Sequence, residues 1–132
     1  MANVKLGTKA VGSIVKIKVN GASKDFIVVQ QGNPNTGTYD SSCAGTWLLM
    51  KDIYTTSTFG NNNSYKDSSI HSYLNGTFFN LIDADIRNAI KQVKIPYQNG
   101  TGSGGSLATG ANGLSTKVFL LSGYEVGWTT SD

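Results

Sequence analysis

The chain has 132 residues with 39% hydrophobic and only 14% charged side chains, which predicts one domain with one core and surfaces built from uncharged polar groups. The 11 basic and 8 acidic residues give a net charge of +3, and the lysines are spread along the chain. Nucleic-acid sites concentrate Lys and Arg on one face, so this distribution argues against a nucleic-acid partner.

A β-hairpin is predicted after an N-terminal extension or linker at residues 1–10. Residues 14–19 alternate apolar and basic side chains, residues 20–25 are turn formers, and residues 26–30 are β-branched and apolar. The uninterrupted apolar run at 26–29 favours a second strand that lies inside a sheet and not at its edge.

Three long polar loops are predicted, at residues 31–46, 54–67 and 98–116, because these segments are rich in Gly, Asn, Ser and Thr and lack periodicity. The apolar residues 47–50 between the first two loops predict a third strand. Residues 118–121, after the last loop, predict a buried strand.

A short helix is predicted after the second loop. Asp67 or Ser68 can cap its N-terminus, and Asn75 with Gly76 is expected to end it. The apolar side chains that should share one face of this helix are Ile70, Tyr73 and Leu74.

A second, amphipathic helix is predicted at about residues 83–91, followed by a short extended exit at 92–96. Asp83 and Asp85 are interpreted as capping residues at its positive end and not as paired catalytic carboxylates. The residues that should line its apolar side are Ile82, Ile86, Ala89, Ile90 and Val93. A capping-box pattern at residues 122–125 predicts a further helix start.

These elements together predict an α+β fold, forming a single domain over residues 11–132. Its expected form is a small, mostly antiparallel sheet with two short helices and long polar loops.

A glycine-rich stretch at residues 100–105 matches the pattern G-x-G-x-x-G of dinucleotide sites, and Glu125 lies at the spacing of a ribose contact. A dinucleotide site also needs a helix directly behind the glycines, and the Thr/Gly-rich residues 109–113 prevent one. A flexible loop is therefore favoured, and no cofactor is predicted.

Catalytic and metal-binding residues are not predicted. Cys43 and His71 are the only candidates for a nucleophile and its base, and a lone histidine in a short helix is more often structural. A single cysteine also excludes an internal disulfide and a cysteine-built zinc site. Asp40, Asp67 and the run 61–63 offer oxygen ligands, but without the spacing of a calcium loop.

Five aromatic residues lie in or beside the polar loops, where they would serve recognition or loop packing, two roles that the sequence supports equally. These candidate binding residues are Tyr39, Tyr54, Phe59, Tyr65 and Tyr97.

The segments TWLLMKDIY, SSIHSYLNGTFF, DADIRNAIKQVKIPY and KVFLLSGYEVGW, in this order, resemble an uncharacterised domain of phage tail-associated and Gram-positive surface proteins. The resemblance covers residues 11–128. It implies an α+β fold similar to C-type-lectin-like domains and a place in virion or surface structures, with no established activity. Relatives continue into a second half with a W-W-L-R-S-P-like strand and a G-V-R-P-like ending, so the resemblance implies the N-terminal part of the module.

The expected function is that of a non-enzymatic bacteriophage structural protein on the tail, a fibre or the capsid, recognising a host-surface glycan or protein through its loops. The alternatives are a purely architectural assembly or decoration protein without a ligand, and a bacterial surface adhesin domain. We expect other virion proteins as partners and a homo-oligomer within the particle. The sequence shows no signal peptide and no apolar run of the ~20 residues that span a bilayer, which predicts synthesis in the host cytoplasm, no membrane insertion, and display on the virion surface.

Overall fold

The structure, a computed structural model, describes residues 5–59, 64–99 and 106–121. Within these residues, small antiparallel sheets alternate with short helices, so the predicted α+β fold is confirmed at that level. None of the helices in this part of the chain is long and apolar enough to cross a lipid bilayer. The glycine stretch 100–105, the capping box 122–125 and the asparagine run 61–63 lie outside the described residues.

The largest sheet has three antiparallel strands, β1 (Ile14–Val19), β2 (Ala22–Gln31) and β3 (Thr46–Met50), in the order β1-β2-β3. The prediction that the second strand lies inside a sheet is confirmed. A bulge at Val29 interrupts the pairing of β2 with β3 and leaves the Val29 side chain 38% exposed. The strand is thus central but not covered on both faces along its whole length.

The hairpin turn between β1 and β2 consists of only two residues, Asn20 and Gly21, with φ angles of 52° and 78°. Two consecutive positive φ angles match the twist of the flanking strands, which is why Asn-Gly favours this turn. The predicted turn at residues 20–25 was too long, because Ala22 to Asp25 pair with β1 instead.

Replacing Gly21 with alanine is expected to lower the free energy of unfolding by about 1 kcal/mol, because a Cβ is disfavoured at positive φ. The matched control is Gly7→Ala. Gly7 has open space around its Cα, as Gly21 does, but unlike Gly21 it has no positive φ. Urea unfolding of both variants measures the difference. Equal decreases in the free energy of unfolding for the two variants would contradict the turn geometry.

The helical region begins with α1 (Ser69–Tyr73), whose N-terminus is capped by Ser68 through a hydrogen bond from the His71 amide, 3.2 Å. The helix was predicted to end at Asn75 and Gly76, and that prediction was wrong. The chain continues through a π-helical turn, Leu74–Phe78, into α2 (Phe79–Leu81). Gly76 keeps a helical backbone instead of the positive φ that ends a helix, and the Asn75 side chain bonds to a distant segment.

The second predicted helix is shorter than expected, forming α3 (Ala84–Ala89). Asp83 occupies the N-cap position, but its side chain makes no capping hydrogen bond, so the capping interpretation holds only for its position. Asp85 lies in the first turn, where a carboxylate favours the positive end of the helix. Both carboxylates are exposed.

Two further antiparallel pairs form, and they take up part of the loop predicted at 98–116, while their first strand lies in the extended exit predicted at 92–96. β4 (Val93–Ile95) pairs with β7 (Leu114–Thr116), and β5 (Tyr97–Asn99) pairs with β6 (Ser106–Ala108). Gly113 permits the first pairing, because a Cβ there would lie 2.7 Å from the Ile95 carbonyl oxygen.

The predicted strand at 118–121 is wrong. Val118 and Phe119 are half-buried, and Leu120 and Leu121 are each 47% exposed. The Asn75 side-chain oxygen accepts the backbone N–H groups of Lys117 and Val118, so they do not donate to a neighbouring strand.

Buried side chains form two clusters. The first lies between the three-stranded sheet and the helices, with Ile17, Val19, Phe78 and Ile82 at its centre. The second lies beneath β4 and β7, with Tyr39, Cys43, Ile95 and Leu114 at its centre.

The N-terminal residues that are described lie against the sheet. A 3-10 turn, Leu6–Thr8, is held by the Gln31 side chain, whose amide donates to the carbonyl oxygens of Leu6 and Lys9, both at 2.8 Å. Residues 6–9 of the predicted extension therefore contact β2.

Candidate binding groove

An apolar groove of about 520 Å³ opens between the three-stranded sheet, the helices and the segment that follows β7. We call it the apolar groove. Its floor and walls are mostly aliphatic and aromatic. The segment that follows β7, residues 117–121, is called the C-terminal segment below. The residues that define the groove best are Ile17, Phe26 and Leu48 from the sheet, Phe78, Ile82, Ile86 and Ile90 from the helical region, and Val118, Phe119 and Leu121 from the C-terminal segment.

The sheet side of the apolar groove follows from strand alternation. In β1, Ile17 is 5% exposed and Val19 is fully buried, while Lys16 and Lys18 point to solvent. On the facing side, Ile86 lies on α3 and Ile90 at its C-cap, four residues apart on one face, where both are half-buried. Strand alternation in β1 and helical spacing in α3 thus place two apolar faces opposite each other, and a space remains between them.

Positive charge lies at the rim of the apolar groove. Lys91 and Lys117 are the only charged residues among the described residues that line it, and no carboxylate is among them. The Lys91 ammonium donates to the Ala44 carbonyl oxygen at 2.8 Å, and the Lys117 ammonium lies 4.9 Å from the centre of the Phe79 ring. A ligand in this groove would meet an apolar surface and cations.

Asn75 fixes the wall of the groove that comes from the C-terminal segment. Its side-chain nitrogen donates to the carbonyl oxygens of His71 at 3.1 Å and Val118 at 2.8 Å. Its side-chain oxygen accepts from the Thr116 hydroxyl at 3.1 Å and from the amides of Lys117 at 2.8 Å and Val118 at 3.2 Å. The sequence offered no signal for this role, because Thr116, Lys117 and Val118 lie more than 40 residues away from Asn75.

Cys43 and His71, the only candidates for a nucleophile and base, do not form a catalytic pair. The Cys43 thiol is 2% exposed and donates to the Lys94 carbonyl oxygen at 3.2 Å, and its burial raises its pKa. The His71 ring packs edge-on against Tyr65 at 5.2 Å, and its burial lowers its pKa. No hydrogen bond links the thiol to the imidazole, and both groups favour their neutral forms.

The lowered pKa of His71 predicts that acid weakens the fold. Below its ordinary pKa of 6.5, the unfolded chain takes up a proton that the buried imidazole resists. The free energy of unfolding should therefore fall as the pH drops through this value, and level off below the folded-state pKa. His71→Gln should remove this fall between about pH 7.5 and about pH 5.5, as measured by urea unfolding. The same fall in both proteins would contradict the prediction.

Two of the five loop aromatics pack into the clusters: Tyr39 is a buried core residue, and Tyr54 is half-buried against the first cluster. Tyr39 is only 6% exposed and packs edge-on against Trp47, with ring centres 5.5 Å apart. Tyr54 packs in the same manner against Phe78 at 5.3 Å. A side chain as buried as Tyr39 offers almost no area to a ligand, so of its two predicted roles the burial favours loop packing.

The other three loop aromatics differ from one another in exposure. Tyr65 is half-buried, and its hydroxyl accepts from the Leu120 amide at 3.2 Å, which ties the C-terminal segment to the second cluster. Tyr97 is also half-buried against that cluster. Phe59 is 42% exposed, which makes it the most accessible of the five. The five rings do not form one shared surface.

No metal centre is found in the described part of the chain, where no three His, Cys, Asp or Glu side chains lie close enough to share an ion. A second, smaller cavity of about 240 Å³ lies beside Asn75 and His71. Its lining is mixed in polarity, and it also includes Lys117.

Comparison with known proteins identifies a family without a known role. Residues 44–132 match the family model described as "Domain of unknown function (DUF6273)". Comparisons with curated proteins and with solved structures find no match. The family match includes β3, the helical region, both small sheets and most of the residues that line the apolar groove. Because the match spans more than half of the chain, the protein belongs to the DUF6273 family of domains of unknown function.

Proposed function

We propose that this chain is a non-enzymatic recognition domain of a bacteriophage virion, displayed on the tail, a fibre or the capsid, and that it binds its host-surface target through the apolar groove. The observation that carries the proposal is the groove itself. Its volume of about 520 Å³ falls in the range of roughly 300–1,000 Å³ that is typical of ligand sites. The resemblance of its ordered sequence segments to phage tail-associated domains supports its place in a virion.

The groove is a better candidate than the loop aromatics as the contact surface. Tyr39 and Tyr54 are packed into the clusters, whereas Leu121 and Val29 line the groove and remain 47% and 38% exposed. When a partner covers exposed apolar side chains in a concave surface, their removal from water favours binding. A mostly apolar lining also favours an apolar target over a glycan, which needs more polar groups.

Ala89 offers a direct test, because it lines the groove and its side chain is exposed on α3. Ala89→Trp should fill the groove without disturbing the core, and should weaken adsorption of the isolated domain to host cells by at least about tenfold. Asn88→Trp is the matched control, since Asn88 is also exposed on α3 but does not line the groove. Equal adsorption by wild type and Ala89→Trp would overturn the groove as the contact surface. Absence of the protein from purified virions, by mass spectrometry, would overturn the virion assignment.

A purely architectural role is the second candidate, and the exposed apolar side chains outside the groove favour it. Val11 and Ile14, at the start of the first sheet, are 60% and 48% exposed, as expected for contacts with neighbouring proteins in an assembly. The two roles differ in one result. Only recognition predicts that the isolated domain binds host cells, whereas the architectural role predicts binding to virion proteins alone.

A further inference from the structure

We propose that the apolar groove binds a fatty acid, with its acyl chain along the groove and its carboxylate at the Lys91 ammonium. This inference rests on the proposed function and names the chemical class of its target. It follows from three observations on the described residues: the apolar lining, the sign of the charge at the rim, and the way in which Lys91 is held.

The acyl chain is specified by the lining. Aliphatic and aromatic side chains line the groove from the sheet, from α3 and from the C-terminal segment, so the described residues give it three apolar walls. Transfer of each methylene from water into such surroundings is favourable by an amount that corresponds to about a fourfold gain in affinity. The affinity should therefore increase steadily with the length of the chain.

The anionic head group is specified by charge complementarity. Among the residues that the structure describes, the lining contributes two lysines and no carboxylate, so an anion is attracted to the rim and a cation is repelled. Lys117 is already engaged with the Phe79 ring, at 4.9 Å. Lys91 uses one N–H for the Ala44 carbonyl oxygen, which leaves two N–H donors for a carboxylate.

Lys91 is held in place at the edge of the groove. Its ammonium is bonded to Ala44 at 2.8 Å, and a Cβ built on Gly45 would lie 3.9 Å from its Cδ, so its aliphatic stem runs along this part of the chain. A single fixed cation matches the single charge of a carboxylate. A phosphate monoester carries about −1.5 to −2 charges at neutral pH and would be left partly uncompensated.

The test measures binding of octanoate, decanoate and dodecanoate to the full chain by isothermal titration calorimetry, below the concentrations at which they form micelles. We expect affinity to rise by about fourfold for each methylene. Dodecyltrimethylammonium, with the same chain and a positive head, should bind at least about tenfold more weakly than dodecanoate. No binding of dodecanoate, or equal binding of the two amphiphiles, would overturn the proposal.

The position of the head group is tested by Lys91→Met, which keeps the length of the apolar stem and removes the charge. It should weaken dodecanoate binding by about tenfold or more, while Lys66→Met, at an exposed lysine outside the groove, should leave it unchanged. A loss in Lys117→Met instead of Lys91→Met would overturn the assignment to Lys91. Tighter binding of dodecyl phosphate than of dodecanoate would overturn the choice of a carboxylate.

The two proposals fail in different ways. If dodecanoate does not bind but Ala89→Trp still abolishes adsorption to host cells, the fatty acid is wrong and the groove remains the recognition surface. If dodecanoate binds and Ala89→Trp adsorbs like wild type, the groove is a lipid site and the proposed role in host recognition is wrong.

Discussion

Replacing Phe78 with alanine is expected to lower the free energy of unfolding by about 4 kcal/mol, the largest effect of any single substitution considered. Phe78 is 7% exposed at the centre of the first cluster, and its ring packs edge-on against Tyr54 at 5.3 Å. Truncation removes buried apolar area and this ring contact, and leaves a space that the sheet and helices cannot close. Urea unfolding followed by circular dichroism measures the loss.

The matched control for Phe78 is Phe59, because the same substitution at a ring that is 42% exposed should cost less than about 1 kcal/mol. A domain of this size has a stability of only about 5–15 kcal/mol, so Phe78→Leu provides a milder variant, expected to lose about 1 kcal/mol. Similar losses for Phe78→Ala and Phe59→Ala would contradict the position of Phe78 in the core.

Asn75→Ala is expected to lower the free energy of unfolding by about 3 kcal/mol. The substitution removes the acceptor of the amides of Lys117 and Val118 and the donor to the Val118 carbonyl oxygen. The half-buried amide of Val118 would then lack its partner, whereas its carbonyl oxygen still accepts from the Thr116 hydroxyl at 2.9 Å. The wall of the apolar groove should loosen as well, which adds a second readout in the form of increased binding of a hydrophobic dye.

Asn88 supplies the control for Asn75, since it is an exposed asparagine within α3. Asn88→Ala should change the stability by less than about 0.5 kcal/mol. Asn75→Asp tests the donor separately from the acceptor, because it retains the side-chain oxygen that accepts and loses the nitrogen that donates to His71 and Val118. It should fall between wild type and Asn75→Ala in stability at neutral pH. Wild-type stability in Asn75→Ala would show that the amide does not hold the segment.

The three-stranded sheet could be predicted from the sequence because its signals are local. Alternation along residues 14–19 and continuous apolar runs at 26–29 and 47–50 reproduce β1, the core of β2 and β3. Ser68 was one of two predicted caps, and it is the residue that makes the bond. The length of the turn was misjudged, because Asn20 and Gly21 suffice to reverse the chain.

The predictions that were wrong concern residues whose structure depends on partners far away in the sequence. Asn75 and Gly76 carry a local stop signal, but the Asn75 amide is used by the segment at 116–118, and the helical backbone continues. The strands β4 to β7 have three residues each, too short for a period to be visible. Residues 118–121 are apolar, yet the amide of Val118 is taken by a side chain and no strand forms.

The candidate site was not predictable, because the groove exists only after folding. Ile17, Leu48 and Phe119 line the same space from widely separated parts of the chain, and each is an ordinary core residue in its own segment. The loop aromatics were predicted as candidate binding residues because they lie among polar neighbours. Burial of Tyr39 at 6% exposure shows that an aromatic in a polar segment can anchor a loop.

The link between the two clusters constrains how the protein is made. Val118 packs against the first cluster and Phe119, its neighbour, against the second, while Asn75 holds this short segment across 43 positions of sequence. During translation, neither cluster is complete until these residues have left the ribosome, so the nascent chain carries exposed apolar strands until then. Protection by chaperones should therefore matter most in the interval before residue 119 emerges.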